Sequence, residues 1–252
     1  MYLRTLSAEI IKLKHTLALR LAIIIPSIIA LLQFSIILFR GASYLQNTED
    51  PMLWLGRQTI FFWTFLALAL FITLETALLA GLEHSQNNWK HLFALPVPRY
   101  MIYAAKQTAS LILVGISFLA LVGFIFLMEI GLALLKPELG FSLNLPWLLI
   151  LKHAALAYVS SFILIAIHTW VSMRWHNFVV AVSFGISMTV IGLLLINDPS
   201  LAQYYPWTMP GIILNRSIKG IPILGELIAI GLGSFVIAFF GGWNITLITR
   251  SV

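Results

Sequence analysis

The sequence predicts an all-α integral membrane protein with six transmembrane helices, on three observations. First, 60% of its 252 residues are hydrophobic and only 10% are charged, where a soluble domain carries about 45–50% and about 25%. Second, six apolar runs reach the ~20 residues needed to cross ~30 Å of hydrocarbon. Third, Lys and Arg gather at the ends of those runs, where they act as topology signals and meet anionic lipid. The formal charge of +6 is therefore read as topology and not as nucleic-acid binding. The absence of cysteine excludes disulfides and thiolate metal sites. The first apolar run starts too late and continues too long for a cleavable signal peptide.

Residues 1–16 precede the first run. Leu3, Leu6, Ile10, Leu13 and Leu17 recur every three or four residues, which is one stripe of a helix. Arg4, Glu9 and Lys12 lie off the stripe. An amphipathic helix in the membrane interface is expected, leading into the first span; the alternative is a plain extension of that span. The spans are expected at 17–39 (with Pro26 inside), 54–82 (with Glu75 inside), 109–128, 153–171, 178–196 and 221–248. Proline and glycine within them are tolerable because neighbouring helices satisfy the freed backbone groups.

With the N-terminus inside, nine cations fall on the cytoplasmic side: Arg4, Lys12, Lys14, Arg20, Lys90, Arg99, Lys106, Arg174 and Arg250. Six fall outside: Arg40, Arg57, Lys136, Lys152, Arg216 and Lys219. That bias favours this orientation, and an even number of spans returns the C-terminus to the same side. The outer stretch 197–220 holds Tyr204, Tyr205, Pro206, Trp207 and Pro210. It is long for a loop without structure, so short helices at or dipping into the outer interface are expected.

The connection 83–99 is expected in the cytoplasm. Ser85 is suited to cap a short helix there and Pro96 to stop it. On such a helix Trp89, Leu92 and Phe93 share a face, with Lys90 and His91 beside it. Two readings stand side by side: a docking knob for a cytosolic partner, or an interfacial helix that anchors Trp89 among the headgroups.

Catalytic signatures are missing from the sequence. It has no Gly-Lys-Ser or Gly-Lys-Thr phosphate loop, no His-Glu-x-x-His helix and no Gly-x-Ser-x-Gly elbow. The aspartates are Asp50 and Asp198 alone, both in outer loops, which excludes an intramembrane aspartyl pair. His84 and His91 lack a third metal ligand nearby in sequence. Ionisable groups inside spans are costly and are functional candidates by default. Glu75 is the clearest, facing the interior with a cation such as Arg174, lining a substrate path, or reaching water at the inner end. His168 is the second, with a hydrogen bond to a neighbouring helix as its plainest role. Glu129, Lys152, His153 and Glu226 sit near outer ends and are expected to snorkel.

The stretch from Glu83 through Trp89-Lys90, Leu95-Pro96 and Arg99 to Lys106 resembles the membrane subunits of type-two ABC exporters. The likeness is greatest to small bacterial permeases related to bacitracin and lantibiotic self-protection. Glu9 to Lys14 is similar to their opening helix, and Tyr205-Pro206-Trp207 to Pro210 to the outer loop before their last span. The resemblance covers the whole chain in layout and those three patches in residues. It implies an elbow helix at the N-terminus and a coupling helix around Trp89 that docks on an ATPase. It carries over Glu83, Trp89, Lys90, Pro96 and Arg99 as coupling residues, with Leu92 and Phe93 on the docking face. It implies two copies of a cytosolic ABC ATPase subunit as partners and a second permease copy, identical or homologous. It also implies a bacterial cell membrane location and an amphiphilic substrate, such as an antimicrobial peptide or a lipid-like molecule. No cofactor is expected on this chain; ATP and Mg would sit on the partner subunit. The rival classes are an ion-coupled carrier or channel, an intramembrane enzyme, and a membrane anchor or sensor for a cytosolic partner.

Overall fold

The structure is a computed structural model, and it describes residues 1–14, 16–45, 48, 50–84 and 96–248. Every regular element among them is helical. α1 (Tyr2–Leu13) turns at Lys14 into α2 (Leu17–Tyr44), whose first turn is capped by Thr16 accepting from the Leu19 amide. Asp50 caps α3 (Pro51–Phe62) by accepting from the Leu53 amide at 3.0 Å, and Pro51 at the first position brings a φ already suited to the helix. α3 runs through a π-turn (Trp63–Ala67) into α4 (Leu68–His84), making one span of 34 residues. α5 (Arg99–Leu135) has 37 residues and measures about 55 Å at 1.5 Å per residue. It therefore stands well clear of the hydrocarbon that the expected run 109–128 covers.

The fourth run differs more. The expected single helix at 153–171 is a pair, α6 (Trp147–Ser160) and α7 (Phe162–Arg174), bent by 41°. The cause is local: Ser160 Oγ donates to the Leu156 carbonyl and Ser161 Oγ to the Tyr158 carbonyl, both at 2.6 Å. Two adjacent serines that compete with the backbone ladder are a recognised source of kinks. Among the described residues five helices are long and apolar enough to cross a membrane, six if the bent pair is one span.

α8 (Phe178–Leu195) is capped by Asn177, which accepts from the Val179 amide at 2.9 Å. Between α8 and the last span lie α9 (Pro199–Ala202) and α10 (Met209–Ile218). The turn between them enters the bundle: Trp207 is buried edge-on to His168 and Phe184, and Tyr205 Oη donates to the Met188 carbonyl at 2.8 Å. α11 (Leu224–Ile248) closes the fold.

The span α3–α4 is the centre of the bundle, with 56% of its apolar window buried against 11% for α11. α11 exposes Leu224, Ile228, Leu232, Phe235 and Phe239, a face suited to lipid. Two glycines set helix separations. A Cβ at Gly185 of α8 would overlap the Thr73 side chain of α4, and one at Gly241 of α11 would overlap the Tyr103 phenol of α5. Small residues at crossings are how helices approach closely where hydrophobicity no longer drives association.

Candidate coupling site

The residues flanking the connection 85–95 are held by a buried ionic cluster. Lys106, one to two turns into α5, donates to Glu9 Oε2 of α1 at 2.8 Å and to Glu83 Oε1 of α4 at 3.1 Å. Lys12 of α1 donates to Glu9 Oε1 at 2.9 Å and to Glu83 Oε1 at 2.7 Å. The side chains of Glu9, Glu83 and Lys106 are 2–5% exposed, while that of Lys12 is 35% exposed. Two carboxylates and two ammoniums balance, which is what permits their burial. Burial alone would lower the Lys12 ammonium; its hydrogen bonds to Glu83 and Glu9 outweigh that and hold it above its ordinary 10.5. Tyr2 and Thr108 add a hydroxyl pair at 2.6 Å between α1 and α5. α1 is thus bound at once to the last turn before the connection and to the second turn after it.

This arrangement corrects the reading of α1. Glu9, placed off the apolar stripe, is buried against the bundle. Leu3 and Ile10, on the stripe, are 74% and 42% exposed. The helix has two working faces: Glu9 and Leu13 toward protein, and Leu3, Ile10 and Ile11 outward, where an interface would take them. Spacing alone missed it because a charged residue reads as a solvent face unless its partners are known. The signal lay in Glu83 and Lys106, opposite charges bracketing the connection.

Glu83 belongs to α4 and is ion-paired inside the bundle with Lys12 and Lys106, one residue from the end of that helix. Pro96 is exposed, and Arg99 opens α5. Trp89, Lys90, Leu92 and Phe93, with His91, lie outside the described residues.

The intramembrane candidates fall apart from this cluster. Glu75 is fully buried, and neither carboxylate oxygen has a hydrogen-bond partner among the described residues. The suggested pairing with Arg174 is not formed: Arg174 is exposed, its guanidinium 5.8 Å from the Trp175 ring centroid in a cation–π contact. His168 is also buried, with Thr73 Oγ1 at 3.5 Å from its ring nitrogens and Phe184 and Trp207 edge-on to the ring. It is surrounded as a packing residue of the core. The expectation that Glu129 and His153 snorkel is overturned, since they are 0% and 3% exposed; α3 covers both. Glu226 instead pairs with Arg216, which also donates to Gln203 at 2.8 Å. Among the described residues no group of three or more His, Cys, Asp or Glu is arranged to hold a metal.

Long apolar helices around a buried centre, with an amphipathic first helix locked beneath them, define a multi-pass helical membrane protein. Residues 5–192 match the model of a family described as ABC-2 family transporter protein. The match covers well over half of the chain, from α1 into α8, and the chain belongs to that family. No curated protein and no solved structure matches it.

Proposed function

We propose that this chain is the permease subunit of an ATP-driven exporter, with ATP and Mg bound on two separate ABC ATPase subunits. A second permease, identical or homologous, completes the membrane part. The end of the bundle that carries α1 faces the cytoplasm of a bacterial cell, and α1 is the elbow helix. The connection around Trp89 docks on the ATPase, with Lys90, Leu92 and Phe93 beside it and Pro96 and Arg99 shaping its return. The substrate is an amphiphile, an antimicrobial peptide or a lipid-like molecule, as in the bacitracin and lantibiotic self-protection permeases the sequence resembles.

One observation supports this reading above the rest: the cluster of Glu9, Lys12, Glu83 and Lys106. A docking segment transmits force only if its two stems move as one body. The cluster ties both stems to α1, so a push on the connection is delivered to α4 and α5 together. Nucleotide then biases a bundle with two arrangements.

The test is purification with an ABC ATPase encoded beside this chain. ATP hydrolysis should depend on the chain, and Trp89→Ala should leave the assembly intact while uncoupling hydrolysis from transport. Coupled turnover that survives Trp89→Ala, or transport that needs no ATPase, defeats the proposal. The buried carboxylate of Glu75, without a hydrogen-bond partner among the described residues, favours one second reading, an ion-coupled carrier or channel. Uptake or efflux driven by an ion gradient without nucleotide decides for it.

A further inference from the structure

At the end of the bundle away from α1, three helices enclose a slot. α7, α10 and α11 leave a cavity of about 210 Å³ between them. Its walls are Ile163 of α7, Met209, Ile212 and Ile213 of α10, and Ala229 and Ile230 of α11. Ile213 and Ile230 are the most deeply buried of these, each 2% exposed. Ile163 closes the slot below them: its Cδ1 lies 3.3 Å from where a Cβ on Gly233, one turn past Ile230, would stand. The volume exceeds the ~150 Å³ that takes a benzene ring and falls short of the ~300–1,000 Å³ of pockets for drug-sized ligands. One hydrocarbon chain enters such a space; two do not.

The charged residues of the slot stand together at its rim. Arg216, in the last turn of α10, donates through Nη2 to Gln203 Oε1 at 2.8 Å and through Nη1 to Glu226, in the first turn of α11. All three line the cavity. Glu226 stands four residues, about 6 Å, from Ile230 along α11, so a polar rim and an apolar interior follow each other as head and tail do in an amphiphile. The rim is accessible, since the side chains of Arg216 and Glu226 are 28% and 37% exposed. The two ions are not held alike. Arg216 is anchored by Gln203 as well as by Glu226, whereas among the described residues Arg216 is the one ion-pair partner of Glu226. The guanidinium is the fixed member and the carboxylate the displaceable one. Glu226 therefore occupies the place that a ligand's own anion would take on the guanidinium fork.

We infer that this slot binds a single-chain amphiphile with an anionic head, a carboxylate or a phosphate. Its chain lies against Ile163, Ile213 and Ile230, and its head accepts from Arg216 in place of Glu226. A cationic head would be repelled by the fixed guanidinium, and a neutral head gains too little to displace a carboxylate from it. A two-chain phospholipid brings a second tail for which the slot has no room. Displacing Glu226 also unties α11 from α10. Binding needs no nucleotide and does not rest on the exporter reading.

The experiment is photolabelling of the full chain in phosphatidylcholine nanodiscs with dodecyl phosphate that carries a diazirine on its chain. Labelled positions are mapped by mass spectrometry. Labelling of α10 and of residues 226–230 is expressed relative to the lipid-facing Phe235 and Phe239, which report the concentration of probe in the bilayer. Plain dodecyl phosphate should compete for the slot, and dodecanol, dodecyltrimethylammonium and phosphatidylglycerol should not. Arg216→Gln should weaken the relative labelling about tenfold or more. Glu226→Gln removes the competing carboxylate of an exposed pair and should strengthen it about two- to fivefold. Ala229→Phe, which fills the slot from an exposed position, should abolish it, and Lys219→Gln should leave it unchanged. Equal competition by all the amphiphiles, or weaker labelling in Glu226→Gln, overturns the proposal. Competition by phosphatidylglycerol as strong as that by dodecyl phosphate overturns the single-chain assignment. If a variant fails to fold, the competition series on the unaltered chain still decides.

Discussion

Replacing Lys106 with Met tests the ionic cluster most directly. The side chain is 2% exposed and bonds Glu9 at 2.8 Å and Glu83 at 3.1 Å. Without it, two buried carboxylates face one remaining ammonium. Lys12 cannot make up the loss, because it already serves both carboxylates and is 35% exposed. Removing one member of a buried pair costs about 3–5 kcal/mol, chiefly through the charge left behind. Lys12→Met leaves the same two carboxylates, but water can take the place of its partly exposed ammonium, so it should cost clearly less than Lys106→Met. The assay is reversible unfolding in mixed micelles, reading free energy from the denaturant midpoint and slope. Adding Glu9→Gln to Lys106→Met restores a one-to-one balance, with Glu83 and Lys12 still paired, and should recover part of the loss. Equal, small costs for the two lysines would refute the idea that burial gives Lys106 its weight. So would a double variant worse than Lys106→Met alone.

The remaining expectations are more local. Gly185→Ala should destabilise by about 1–3 kcal/mol, because the new methyl meets Thr73 Cβ at 2.7 Å. Gly123→Ala, with nothing among the described residues within 4 Å, should be neutral or gain up to about 1 kcal/mol of helix propensity; the two are compared in the same unfolding assay. The raised Lys12 ammonium contributes stability that is fully present below 10.5 and is lost as pH climbs through its higher folded value. Unfolding measured from pH 9 upward should show that fall, flattened in Lys12→Met. Arg216→Met cuts the links to Glu226 and Gln203, and should raise hydrogen exchange across α9 and α10 while leaving α4 and α5 unchanged. Glu75→Gln removes a buried carboxylate that has no hydrogen-bond partner among the described residues, so expression and stability should hold while transport falls. Unchanged transport would end the functional reading of Glu75.

Helix class and membrane character were legible because they depend on quantities that add along the chain, apolar content and run length. Helix ends and bends were less so. The 41° break at Ser161 arises from two hydroxyls whose choice of acceptor no hydropathy window records. α5 outruns its apolar run because polar Lys106 and Gln107 are buried by neighbours, so hydropathy placed the start of that helix late. The site was legible only in part. Glu83 and Lys106 lie within the recognisable stretch around the connection, yet their partner Glu9 is more than seventy residues away in sequence and off the apolar stripe of α1. Glu129 and His153 were assigned to solvent from their nearness to span ends. That inference fails wherever another helix, here α3, lies over those ends.

The π-turn from Trp63 to Ala67 has a bearing on all of this. Such a turn holds one residue more than a regular helix requires, and each residue advances the azimuth by about 100°. It works as a phase adjuster midway through a single rod. Upstream, the rod can aim Gly56 at Glu129, whose Oε1 lies 3.4 Å from where a Cβ on Gly56 would stand; downstream, it can aim Glu83 at Lys106. Deleting one residue there would smooth the rod yet swing one aim past its target by roughly a quarter of a revolution. The two ends of this protein are therefore clocked against each other by five residues that touch neither.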